Sequence, residues 1–372
     1  MTSSVPYSQR FSAAVVLPAV CAYFVAVVVR KLRPGWQRFI ACVPVFAFNF
    51  CSVALFDERT QLMSKLILNL CFVWLSNFKV FALCLNRGPL SRKALTPLQF
   101  YALYVAPITP RDELAEVGTD GIPRIKSAGT LGDHGGSAGV LAYRLVAKTL
   151  VLFVSVTILS EYANRLPKLV LEYTYAVALY AFLGVVMDGP ASAVTSMIGL
   201  RIAPHFNKPF VAESLTSFWG KRWNLTISNC LRGPIYDPIY EGQWVKGSKP
   251  HVSGSLIRRF VGMSACFLVS GLMHELVYWY MMGMHTHQWK WLCFFTMQAP
   301  LLVVEALGKK LMKRHGVHVP RLPSILATMA ALLWMADKFF FPPCLDTDLA
   351  GRVVDAVNNN FKDFSMLLFP RS

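Results

Sequence analysis

The chain has 372 residues, of which 55% are hydrophobic and only 15% charged, with a mean hydropathy of +0.44. Soluble domains carry about 25% charged residues, so this composition excludes an ordinary soluble enzyme and points to an all-α, polytopic integral membrane protein. The net charge of +17 does not call for nucleic acid, because the basic residues sit between apolar runs, where they anchor helices and face anionic headgroups; a bound anionic co-substrate is the sharper alternative.

In chain order, eight windows approach the roughly 20 apolar residues that a helical span requires. The first, "FSAAVVLPAVCAYFVAVVV" (11–29), has its charges, Arg30, Lys31 and Arg33, after the apolar core and not before it. A signal peptide has the opposite order, so a retained helix is expected. The second window, 39–56, ends at Asp57 and Glu58; the third, 66–84, carries Lys79 within it. Windows at 143–160, 169–187, 260–284, 291–304 and 324–341 complete the set, and the short seventh is expected to continue through "VEALGKKLMKR" into the interface. The stretches 98–108 and 191–200 are too short to span and are expected to be re-entrant or to lie on the surface. Nothing marks a soluble domain boundary, so residues 1–372 are expected to form a single membrane domain with about eight helices around an internal chamber.

Two connections are long. Residues 109–142 include "GTDGIPRIKSAGTLGDHGGSAG", a composition that predicts a flexible loop. Residues 188–258 are aromatic, basic and punctuated by proline, with too much apolar content for a disordered linker. The clusters Arg30-Lys31-Arg33 and Lys309-Lys310-Lys313-Arg314 place their loops in the cytosol, although the overall density of Lys and Arg is nearly equal on the two sides. Nine cysteines are scattered, mainly inside apolar runs and without a C-x-x-C pair, so free thiols are expected, with no metal site.

"FLVSGLMHELVYWYMMGMH" (267–285) places His274 and Glu275 inside the sixth window. Ionisable residues in a span cost roughly 2.5–3.5 kcal/mol on insertion scales and mark functional sites by default; the bland alternative is a buried histidine bonded to a facing carbonyl or tyrosine. Helical spacing aligns Ser270, Gly271, His274 and Tyr278 on one stripe, with Gly271 leaving room beside the imidazole for another chain or a ligand. Glu275 lies about 100° round the helix, where it is expected to pair with a neighbouring helix and not to orient the ring. A neutral imidazole among apolar side chains can act as a general base, since burial disfavours the charged ring. His285 and His287 form an H-T-H pair without an evident third ligand, and His205, His251, His315 and His318 sit in polar connections.

The last signal is "SLTSFWGKRWN" (214–224), inside the motif-bearing segment of about 204–284. On a helix Ser217, Gly220, Lys221 and Asn224 share one side, and Trp219 and Trp223 fall together. Composition alone fits interfacial anchors. Together with "LRGPIYDPI" (231–239), "SGLMHELVYWY" (270–280) and "WLSNFKVFALCLNRGPLS" (74–91), however, the passage resembles the plant-type wax synthase branch of the membrane-bound O-acyltransferases, over residues of about 40 to 340. Lys221 stands where relatives often have arginine, and the 109–142 loop has no pattern from that family.

That resemblance implies acyl transfer from acyl-CoA, a co-substrate and not a bound cofactor, to a lipid alcohol, without metal, in the endoplasmic reticulum membrane. By its motifs the catalytic histidine corresponds to His274 and the catalytic asparagine to Asn224, which would donate to the oxyanion or hold the thioester. Lys221, Arg222 and Arg232 are expected near the CoA phosphates, Trp219 and Trp223 along the tunnel wall, and Ser270 and Tyr278 beside the substrate. Sterol, diacylglycerol or specialised-metabolite acceptors, or an acetyl donor, are the alternatives within this class. A transporter is the alternative outside it, and the paired halves or matched broken helices it calls for are not visible in the sequence. Asn224-Leu225-Thr226 forms a glycosylation sequon, which would remain unmodified on a cytosolic or membrane-embedded segment.

Overall fold

The structure, a computed structural model, describes residues 7–57, 61–111, 116–117, 123–124, 138–248 and 254–368. Among these residues, 8 helical segments are long and apolar enough to cross a membrane: Ser8–Lys31, Trp36–Leu55, Leu62–Cys84, Gly139–Arg165, Lys168–Ile198, Leu256–Met282, His287–Arg314 and Arg321–Asp346. The seventh does continue through the basic run to Arg314. The stretch 191–200 departs from expectation: residues to Ile198 extend the fifth span, past Pro190, as one continuous helix of 31 residues that stops at Gly199 in a left-handed conformation. The 98–108 stretch holds a short helix, Pro97–Val105, started by a capping box between Thr96 and Gln99. Most of the expected 109–142 loop lies outside the described residues; within it Glu116–Val117 pairs antiparallel with Pro123–Arg124.

The third span is the pillar of the molecule. In it 72% of the apolar window is buried inside the protein, against 17–33% for the other seven, which leave broad faces for lipid. A helix apolar on all sides is stable at the centre of such an assembly, and Val73, Leu75, Val80 and Leu83 anchor the largest core cluster. The fourth and fifth spans lie against each other, and the helix Leu349–Leu368 covers the fourth through Val354 and Val357 against Leu152 and Val156.

Hydrocarbon supplies no hydrogen-bond partners, and several polar groups of the pillar are satisfied by neighbouring elements. Asn49 donates to Asn77 Oδ1 at 2.9 Å, Tyr104 OH donates to Asn49 Oδ1 at 3.0 Å, and Ser76 donates to the Tyr104 carbonyl at 2.5 Å. Lys79, the charge visible in the sequence, is 3% exposed and donates to the carbonyls of Leu103 (2.8 Å) and Ala106 (2.6 Å). These carbonyls end the helix Pro97–Val105, whose C-terminal dipole favours a cation. The short helix therefore exists to receive the lysine as much as to fill space.

A hydrogen bond to a charged group contributes about 1.5–3 kcal/mol, so Lys79→Ala is expected to destabilise the protein by about 3 kcal/mol. A lowered thermal midpoint in detergent checks this; an unchanged midpoint contradicts it.

Candidate active site

His274 is half-buried on the sixth span, and its Nδ1 lies 2.7 Å from the Ser270 carbonyl. A carbonyl oxygen only accepts, so Nδ1 carries the proton and Nε2 holds a lone pair. Among the described residues Nε2 has no hydrogen-bond partner, nor is it one of the fully enclosed polar atoms. Four spans converge on the ring. Phe295 of the seventh span stacks on it at 4.0 Å between centroids, and Trp74 of the third stands perpendicular to it at 4.8 Å. Trp291 and Phe340, at 6.0 and 6.5 Å, close the cage.

Two neighbours of His274 fix where the seventh span lies. Gly271 faces Leu292, whose Cα is 3.0 Å from where a Cβ would sit, so the room left by this glycine is filled by a chain. Glu275, 3% exposed, accepts from Thr286 N (2.8 Å), Thr286 Oγ1 (2.6 Å) and Leu292 N (3.0 Å), tying the start of the seventh span to the sixth. Tyr278 is 1% exposed and its hydroxyl donates to Thr347 Oγ1 and the Pro343 carbonyl at 3.1 and 3.3 Å, bracing the end of the eighth span and making no open wall.

The passage 214–224 forms a short helix, Leu215–Lys221, capped by Ser214. The Glu305 carboxylate of the seventh span holds its start, accepting from Leu215 N (2.8 Å), Thr216 N (3.0 Å) and Thr216 Oγ1 (2.8 Å). From that helix Trp219 reaches the cage: it meets Phe295 at 6.0 Å, and its Nε1 donates to Gln298 Oε1 at 3.0 Å. Trp223 turns the other way, stacked on Phe218 at 5.4 Å and edge-on to Phe206.

Asn224 has a left-handed backbone (φ 35, ψ 64), which asparagine tolerates better than most residues, and its Oδ1 accepts from Ile227 N at 3.2 Å to cap the helix Leu225–Leu231. No hydrogen bond joins Asn224 to His274 among the described residues, and its Nδ2 is left without a protein acceptor there. Lys221 is exposed. Arg222 donates to Ser217 Oγ (3.1 Å) and the Lys208 carbonyl (3.2 Å), while Arg232 pairs with Asp237 at 3.2 Å. Two sequence motifs far apart in the chain meet in space: Arg87, from the 74–91 stretch, forks onto Glu241 at 2.6 and 3.2 Å, just beyond "LRGPIYDPI".

The sequence did not single out the buried His205. Its Nδ1 lies 2.6 Å from Thr226 Oγ1, its carbonyl accepts from Leu225 N at 2.8 Å, and its Nε2 is 3.8 Å from Asp188, which Lys148 meets at 2.6 Å. Burial pushes the His205 pKa down to about 4 against the pull of Asp188, so this ring is neutral. It links the fourth and fifth spans to the helix that Asn224 caps. The intramembrane charges Lys148 and Asp188 were the signal available for this cluster.

Comparison with known proteins gives a consistent picture. Residues 202–297 match the "Membrane bound O-acyl transferase family". The chain is 31% identical to acyl-CoA–sterol O-acyltransferase 1 of Arabidopsis thaliana over 86% of either chain. It is 29% identical to the long-chain-alcohol O-fatty-acyltransferase of Simmondsia chinensis, over 65% of this chain and 63% of that one.

Loss of a helix cap costs about 1 kcal/mol, so Glu305→Ala is expected to speed amide hydrogen exchange at Leu215 and Thr216 by about fivefold. Unchanged exchange there contradicts the anchoring role of Glu305.

Proposed function

The chain belongs to the membrane-bound O-acyltransferase family, in its wax synthase branch, and from that premise we propose that this O-acyltransferase moves a fatty acyl group from acyl-CoA to a long-chain alcohol, forming a wax ester. The observation that carries this reading is the state of His274: one ring nitrogen is committed to the Ser270 carbonyl, the other bears a free lone pair inside an aromatic cage. Nε2 takes the proton of the alcohol as its oxygen attacks the thioester carbon. The new C–O bond forms, the C–S bond breaks, and the proton passes from His274 to the departing CoA sulfur, so the enzyme itself is never acylated.

Phe295 and Trp74 fix the plane of the imidazole, and Trp219 buttresses Phe295 from the far side. Asn224 Nδ2 is assigned to hold the thioester arm of CoA, and Lys221, Arg222 and Arg232 to its phosphates on grounds of charge. Ser270 acts through its carbonyl, which sets the tautomer of the base. We place the protein in the endoplasmic reticulum membrane, where its apolar spans meet the alcohol and the acyl chain in the bilayer while the CoA head stays in water. A sterol acceptor is the second reading, favoured by the 31% identity to an acyl-CoA–sterol O-acyltransferase.

The test is ester formation by microsomes from yeast lacking neutral-lipid synthesis, given labelled palmitoyl-CoA with a fatty alcohol or a sterol. Labelled wax ester is the expected product, and His274→Ala is expected to lower its rate by at least about 10²-fold at unchanged protein abundance. Sterol ester in place of wax ester reassigns the acceptor. Full activity in the variant removes His274 as the base, and no ester with any hydroxyl acceptor overturns the reading.

A further inference from the structure

We propose that Trp74 is a second catalytic group, whose indole N–H donates to the oxyanion formed when the thioester carbonyl is attacked beside His274; the inference rests on the acyl-transfer reading above. Three indoles surround the imidazole or its stacking partner, and two have acceptors. Trp219 Nε1 donates to Gln298 Oε1 at 3.0 Å, and Trp291 Nε1 donates to the Phe340 carbonyl at 2.8 Å. Trp74 is 5% exposed, and its Nε1 is fully enclosed with no acceptor among the described residues.

A buried donor left unsatisfied costs about 1–3 kcal/mol, a cost that phenylalanine at the same place would not carry. In the interior of a membrane protein such an N–H calls for a partner that arrives from outside the chain. Position supports the same conclusion. Trp74 stands perpendicular to His274 at 4.8 Å, on a π-helical stretch, Asn69–Ser76, a widened geometry that is rare and concentrates at functional sites. Base and donor thus stand on adjoining rings carried by different spans.

In the reaction the alcohol oxygen adds to the carbonyl carbon, its proton moves to His274 Nε2, and the carbonyl oxygen becomes an anion that accepts from Trp74 Nε1. When the C–S bond breaks the anion collapses to the ester carbonyl and the proton goes to sulfur. The indole proton never leaves nitrogen. A neutral N–H aimed at developing charge in a dry site is worth more than the same contact in water.

The experiment compares wild type, Trp74→Phe and His274→Ala in detergent, using the acyl-CoA and alcohol that wild type turns over. Trp74→Phe is expected to lose about 10²-fold in kcat, with KM for acyl-CoA changed less than about threefold. Should Trp74→Phe lower the thermal midpoint or aggregate, the decisive variant replaces the indole of Trp74 with benzothiophene by suppressor-tRNA incorporation, which keeps the shape and removes only the N–H; the same loss of kcat is expected. Wild-type kcat in either well-folded variant, with His274→Ala inactive, overturns the role of Trp74 and leaves the acyl-transfer reading intact. An active His274→Ala, or a wild type inactive with every acceptor, overturns the underlying reading instead.

Discussion

The structure depends on one constraint: a helix at the centre of a membrane protein has no water to satisfy its polar groups, so they must find partners in the chain or in what it binds. The third span meets this with Asn77, Ser76 and Lys79, whose partners come from the second span and the short helix Pro97–Val105. Because those bonds are directional, they fix the pillar's rotation as well as its depth. That rotation is what turns Trp74 toward the sixth span and the imidazole.

The same balance of donors and acceptors supports the proposed site. Around His274 nearly every donor and acceptor is spoken for: Glu275 holds three groups of the seventh span's start, Gln298 takes the Trp219 indole, and Phe340 takes that of Trp291. Among the described residues, the groups beside the imidazole left without a partner include a lone pair on His274 and an N–H on Trp74, one an acceptor of protons and the other a donor to negative charge. Acyl transfer to a hydroxyl needs one of each.

Much of this was legible in the sequence, because apolar windows and an intramembrane histidine are local signals. His274 stood out by its chemistry against its neighbours, Lys79 by its charge, and Glu275 by its angle on the helix. The fifth span differs at its end, since 191–200 is too short to span by itself, although its residues to Ile198 continue the same helix past Pro190. Trp74 opens the quoted 74–91 stretch, but its unpaired N–H is not legible there, for a different reason. An indole in an apolar run is unremarked until the acceptors around it are counted, and that count depends on three other spans. His205 and Glu305 were hidden likewise, because their partners, Thr226 and the amides of Leu215 and Thr216, lie 21 to 90 residues away.

The arrangement also explains why the passage at 214–224 is both basic and aromatic. Its indole and amide groups turn inward, Trp219 to the cage and Asn224 to the start of the next helix, while Lys221 remains at the surface. One short helix, held at its start by Glu305, therefore connects the charged exterior with the apolar interior.

The most direct measurement is an electron cryomicroscopy map of the protein with a thioether analogue of acyl-CoA, which cannot be cleaved. Expected is density that places the carbon next to sulfur beside Nε2 of His274, with the Trp74 indole on the same side of the ring. An acyl chain bound elsewhere, with the imidazole facing only lipid or closed protein, would contradict the assignment.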